Sequence, residues 1–257
     1  MKTRLLILLT VLAAFSFVSG SAMAVPFGDG GGSALQGVLD GITTDPAGDS
    51  SVDVTTDYLS DNQDSYWAVG GSGLSANTLI VELASFAGDN TFGIYDYADY
   101  TNTVQLFDGS ATGGSQTTLS IKDDGSVHVG LADTGIDFSG NNFGYYLDSS
   151  ANTNGGFWYS DIKYNSDDTD HMAAYEGNDS DVVKIANNEE GVWYSHNYIL
   201  AFEDLTFANS SADGDFTDFV AMVESVNPVP EPATLFLLGT GLVGFAGFAR
   251  RRRSAKS

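Results

Sequence analysis

Cysteine is absent from all 257 residues, which excludes disulfides, thiolate metal sites and thiol catalysis and fits an exported chain that does without cross-links. Basic residues are nearly as scarce. Lys2 and Arg4 stand at one end and Arg250, Arg251, Arg252, Arg253 and Lys256 at the other, leaving Lys122, Lys163 and Lys184 for everything between Val25 and Pro230. That stretch holds 33 acids against three lysines, a formal charge of −30. Such a surface repels nucleic acid and anionic lipid and attracts divalent cations, so a nucleic-acid partner is excluded. Histidine occurs only at His128, His171 and His196, and no G-x-S-x-G elbow accompanies the neighbouring Ser195. Two carboxylates picked from 33 are no sign of a glycosidase. The chain is therefore not expected to be an enzyme.

What is present is aspartate, 27 residues against 7 glutamates. Asp serves turns and caps as well as oxygen-ligand cation sites. A turn-rich all-β protein with a solvated exterior accounts for most of these residues. The 206 residues from Val25 to Pro230 suffice for one sizeable core.

The two ends read as addresses. Lys2 and Arg4 precede the apolar stretch Leu5–Val18, followed by Ser19-Gly20-Ser21 and Ala22-Met23-Ala24, which has the form of a signal peptidase site with Ala22 and Ala24 as its small residues. Fourteen apolar residues are too few for a span. Residues 1–24 are thus expected to be a signal helix, with the mature chain starting at Val25. At the other end, Val229-Pro230-Glu231-Pro232 precedes an uncharged apolar run over 233–249 and the Arg250–Arg253 cluster within the basic tail 250–257. Seventeen residues at about 1.5 Å each give roughly 25 Å of helix, just enough to cross a bilayer, and the arginines hold the far end in the cytoplasm as a membrane stop. Pro228, Pro230 and Pro232 deny the preceding chain helix or central-strand structure. An enzyme-accessible peptide held at the membrane and an ordinary tail anchor both fit this order. Gly239-Thr240-Gly241-Leu242-Val243-Gly244 fits G-x-G-x-x-G, but no strand leads into it, so it is not a nucleotide site.

As a three-part unit, the Val-Pro-Glu-Pro motif, the glycine-punctuated apolar run and the arginine cluster resemble the PEP-CTERM sorting signal of Gram-negative bacteria. The resemblance implies a substrate of exosortase, a membrane protease or transpeptidase, with Pro230, Glu231 and Pro232 as recognition residues. It also implies a setting of exopolysaccharide and biofilm matrix, and therefore partners among matrix components.

Between the ends, short β-type runs at Leu79–Leu83, Leu119–Ile121, Val127–Val129 and Phe143–Leu147 alternate with turn clusters such as Asp108-Gly109-Ser110 and Asp123-Asp124-Gly125. Tyr198–Phe202 and Phe219–Val223 are continuous apolar runs, expected of strands covered on both faces. The expected fold is all-β, a sandwich or jelly roll over 78–226. Residues 25–77 form a Gly/Ser/Asp-rich extension that adds strands near Val52-Asp53-Val54 and Tyr66–Val69, and 227–257 is the sorting segment. From Thr78 to Val226 the ordered motifs Phe92-Gly93-Ile94-Tyr95-Asp96, Phe143-Gly144-Tyr145-Tyr146-Leu147, Asp168-Thr169-Asp170-His171, Phe202-Glu203-Asp204-Leu205 and Asp213–Phe219 resemble a bacterial domain of unknown function common in exported proteins. That resemblance brings no activity with it.

Glu203 and Asp204 follow one apolar run, and Asp213, Asp215 and Asp218 precede the next. If the two runs pair as a hairpin, five carboxylates converge at one end of the sheet. A calcium ion taking six to eight oxygens would relieve their repulsion, with Asp168 and Asp170 joining from another loop and His171 as a structural hydrogen-bonding residue. Solvated turn aspartates are the alternative, since the spacing matches neither an EF-hand nor a nonapeptide calcium repeat. A rival function, a carbohydrate-binding module, rests on Trp67, Trp158, Trp193 and the tyrosine runs at Tyr95–Tyr97 and Tyr145-Tyr146, provided that their faces are exposed.

Overall fold

The computed structural model describes residues 25–28, 32–81 and 87–230. Helix α1 (Ser33–Ile42) leads into β1 (Thr43–Asp45), and the single turn α2 (Asp61–Asp64) precedes β2 (Trp67–Val69) and β3 (Ser75–Val81). A run of strands follows: β4 (Thr91–Asp96), β5 (Asp99–Phe107), β6 (Gln116–Ile121), β7 (Ser126–Val129), β8 (Ala132–Asp137) and β9 (Asn142–Asp148). The remainder comprises β10 (Phe157–Tyr159), β11 (Met172–Glu176), β12 (Val182–Val183), β13 (Gly191–Val192), β14 (Asn197–Phe202), β15 (Phe219–Glu224) and β16 (Val226–Pro228).

These strands form three antiparallel sheets. A seven-stranded sheet runs β11-β14-β15-β3-β6-β7-β8, and a six-stranded sheet runs β16-β2-β9-β4-β5 with β10 beside β9. A small third sheet holds β1-β12-β13. The main core lies between the two large sheets, with Trp67, Phe92, Tyr145 and Phe143 from one meeting Leu79, Tyr198, Leu200, Phe202 and Phe219 from the other. This is the expected all-β sandwich.

The continuous apolar runs owe their composition to a second core. Ile199 and Ala201 of β14 and Val220 and Met222 of β15 face away from the sandwich onto Leu35, Leu39 and Ile42 of α1 and onto Trp193. A strand buried on both faces has no polar side, so alternation disappears. Helix α1 was not visible in the sequence. Gly37 and Gly41 interrupt it, each costing close to 1 kcal/mol against alanine, and what holds it is the apolar row at 35, 39 and 42 against the sheet. Val52–Val54 does not form the expected strand. The Gln36 side chain donates to the Val52 carbonyl at 3.0 Å and accepts from the Val54 N–H at 3.1 Å, so a helix amide takes the place of a strand neighbour.

The outer face of the six-stranded sheet is a tyrosine layer of Tyr66, Tyr95, Tyr146 and Tyr159. Its logic is a cross-strand exchange. In the β4–β9 register Gly93 faces Tyr146 and Tyr95 faces Gly144, and each ring lies over the opposing glycine. A Cβ on Gly144 would stand 2.1 Å from the Tyr95 ring. The two Phe-Gly-x-Tyr motifs are thus one device read in opposite directions, filling the space a glycine leaves in a strand.

Among the described residues no helix is long and apolar enough to cross a membrane. The expected signal helix over 1–24, with Ala22 and Ala24, and the apolar run 233–249 lie outside them.

Candidate functional site

Strand β14 ends at Phe202 and β15 begins at Phe219, and these two residues are paired across the hairpin. Glu203 and Asp204 therefore leave the sheet at the point where the acidic loop returns. Two overlapping groups result, Glu203 with Asp213 and Asp215, and Glu203 with Asp204 and Asp218; in each, one oxygen per residue lies within 4.8 Å of the others. The five carboxylates of the hairpin thus fall into two triads that share Glu203. Asp168 and Asp170 belong to neither group.

Glu203 and Asp204 are only 1% and 2% exposed. Gly214 N–H donates to Glu203 Oε2 at 2.9 Å, Asn90 Nδ2 to Asp204 Oδ2 at 3.0 Å, and the Asp204 N–H to Asp218 Oδ2 at 3.1 Å. The Asp204 carbonyl accepts from the Trp158 indole at 2.7 Å. Trp158 in turn stacks on His171, centroids 3.7 Å apart. His171 hydrogen-bonds through Nδ1 to the Glu203 carbonyl and through Nε2 to Asp167. The loop is stapled from the other side by Gly28 N–H on the Gly214 carbonyl at 2.9 Å.

Burial, reinforced by the charge of Asp218, pushes the Glu203 carboxyl up to about 9. Burial and the neighbouring Asp204 push Asp218 up to about 7. Among the described residues no lysine forms an ion pair with this group; the pairs there are Lys163–Asp161 and His171–Asp167. Buried carboxylates that share a site without a counter-charge either hold protons or surround a cation, and an all-oxygen set suits a hard cation.

Asp170 sits elsewhere. The antiparallel bridge Tyr58↔Tyr175 and the Leu59 N–H on the Ala174 carbonyl run α2 past the start of β11, where Asp170 meets Asp64 and Asp61. Burial first, then the charges of Asp170 and Asp61, raises Asp64 well above the usual carboxylate range, and burial followed by the charge of Asp61 raises Asp170. Asp64 Oδ2 and Asp170 Oδ2 have no hydrogen-bond partner. Asp168 takes a left-handed turn conformation, φ 55°. Sequence reasoning missed Asn90 and Asp167 at the first cluster. Asp167 stood four residues before His171 in the same acidic run, whereas nothing local marks Asn90.

The surface aspartates have a different job. In Asp53-x-Thr55, Asp99-x-Thr101, Asp108-x-Ser110 and Asp124-x-Ser126, one carboxylate oxygen accepts both the N–H and the hydroxyl two residues on. These bonds hold each carboxyl below its ordinary range. Glutamate, one carbon longer, fits this turn poorly, which explains the aspartate excess.

The tryptophans do not carry the carbohydrate-binding expectation. Trp67, Trp158 and Trp193 are at most 1% exposed, and Tyr95, Tyr145 and Tyr146 are buried with them, so of the aromatics it rested on only the half-buried Tyr97 reaches the surface.

At the C-terminal edge, Pro230 is exposed, whereas Glu231, Pro232 and Arg250, Arg251, Arg252 and Arg253 lie outside the described residues. No curated protein and no solved structure matches the chain. Residues 228–253 match the PEP-CTERM protein-sorting motif, which supports an exported protein whose processing partner is exosortase.

Proposed function

We propose that this chain is an exported structural or interaction protein of the cell surface or exopolysaccharide matrix of a Gram-negative bacterium. Signal peptidase removes residues 1–24, and exosortase then processes the tail. The observation that carries this reading is the sorting motif at 228–253. A body of charge −30 without cysteine suits a cation-rich extracellular setting, and the order of motifs over 78–226 supports a domain of the exported class. The protein is not an enzyme in this reading. Calcium, held by Glu203, Asp204, Asp213, Asp215 and Asp218, would replace the protons those carboxylates otherwise retain and stabilise the loop that joins β14 to β15.

Fractionation of the native host, with and without the processing enzyme, tests the reading. The expected product begins at Val25, lacks the apolar tail and is found outside the cell. A full-length chain retained in the membrane in both strains would refute it.

A further inference from the structure

We infer that the fold itself sets the N-terminal limit of tail processing: the scissile bond lies C-terminal to Pro230, and Val226–Val229 stays with the body as its closing strand. This rests on the reading of the tail as a processing signal. The sorting motif begins at residue 228, yet β16 runs through Pro228, so the fold and the signal overlap with no linker between them.

The overlap is a clamp. β16 pairs with β2 residue by residue, Val226 with Val69, Asn227 with Ala68 and Pro228 with Trp67. Val226 is fully buried in the sandwich core. The Val229 N–H donates to the Tyr66 carbonyl at 2.8 Å, and its side chain packs on the tyrosine layer. Tyr66 is itself fixed, its hydroxyl donating to Asp161 Oδ2 at 2.5 Å and accepting from Lys163 Nζ at 2.7 Å. Pro230, the last of the described residues, is exposed.

A protease takes its substrate as an extended strand with free backbone groups on both sides of the scissile bond. Cutting within 226–229 would require β16 to leave β2, exposing Val226 and the wholly buried Trp67. The free edge of β16 offers little as an alternative, because Pro228 and Pro230 have no N–H to donate. Cleavage beyond Pro230 leaves the pairing of β16 with β2 and the Val229 contact in place. There the amide C–N bond breaks, water gives its hydroxyl to the acyl carbon, and the leaving amine takes the proton. The amino group goes with the apolar tail, and the body keeps a free carboxylate a few residues from the tyrosine layer.

Two measurements on the full chain test this. In the native host, intact mass of the released body should place its C-terminus at Pro230 or later. Separately, the detergent-solubilised full chain should be trimmed from its C-terminus by a broad-specificity protease, with digestion stopping at Pro230 or later and at no residue before it. A product from either experiment ending at Val229 or earlier, while the body remains folded by circular dichroism, would overturn the inference. If the host never cleaves the chain, the sorting reading fails and the processing limit fails with it; trimming that also runs into β16 would show that the clamp is absent as well.

Discussion

Raising the pH of the metal-free protein from 4.5 to 9 loads charge onto Glu203 and Asp218, which the fold keeps out of water. Glu203 titrates near 4.5 when unfolded and at about 9 when folded. A folded-state value above the unfolded one means that the native state binds more protons in this window. The stabilisation is complete below about pH 4.5 and is lost as pH climbs through the folded value. At about 1.4 kcal/mol per pK unit the shift sets an upper bound on the order of 6 kcal/mol. Asp218, raised to about 7, titrates with it, so part of that belongs to the pair; the expected loss is about 3 kcal/mol, a large share of the roughly 5–15 kcal/mol typical of a domain. Urea unfolding in chelator at pH 5 and pH 8.5, for the wild type and for Glu203→Gln, reads it directly. The variant should lose far less stability than the wild type across this interval. Superimposable pH profiles, or a wild type that grows more stable above pH 7, would refute the reasoning. Calcium should remove the alkaline loss in the wild type and leave the flatter Glu203→Gln profile unchanged, and an unchanged wild-type midpoint in excess calcium would sink the cation proposal alone.

Asp64→Asn is expected to raise stability at neutral pH by about 1 kcal/mol, since burial holds the Asp64 carboxyl protonated in the fold although it is ionised when unfolded, and an amide has no such proton to take up; thermal melts at pH 7 and pH 4 should show the gain shrinking in acid. Gly144→Ala should cost about 3 kcal/mol by driving a methyl into the Tyr95 ring, visible as a lowered urea midpoint and a changed near-ultraviolet tyrosine signal. Leu39→Ala should cost about 3 kcal/mol through the cavity it opens beneath α1, and a variant as stable as the wild type would mean that the helix is not docked. Tryptophan fluorescence should resist soluble quenchers and stay unchanged on adding polysaccharide, because all three indoles are buried; a glycan-dependent shift would contradict the packing described.

The sequence determined the C-terminal sorting motif, the acidic character and the two-faced burial of Tyr198–Phe202 and Phe219–Val223, because each is written locally as residue order, charge or an unbroken apolar run. It also placed Glu203, Asp204, Asp213, Asp215 and Asp218 at one sheet end, since a hairpin joins only what its strands flank. Tertiary structure decided what depends on distant partners. Helix α1, weakened by two glycines, exists because a sheet face needed covering. Asp170 left the calcium set and joined Asp64, 106 residues away in the sequence, because Leu59 and Ala174 are bonded across the fold. The tryptophans went inside, where their area is worth most to the core. And the last strand ran into the sorting motif, a fact of register with Val69, Ala68 and Trp67 that no local pattern records.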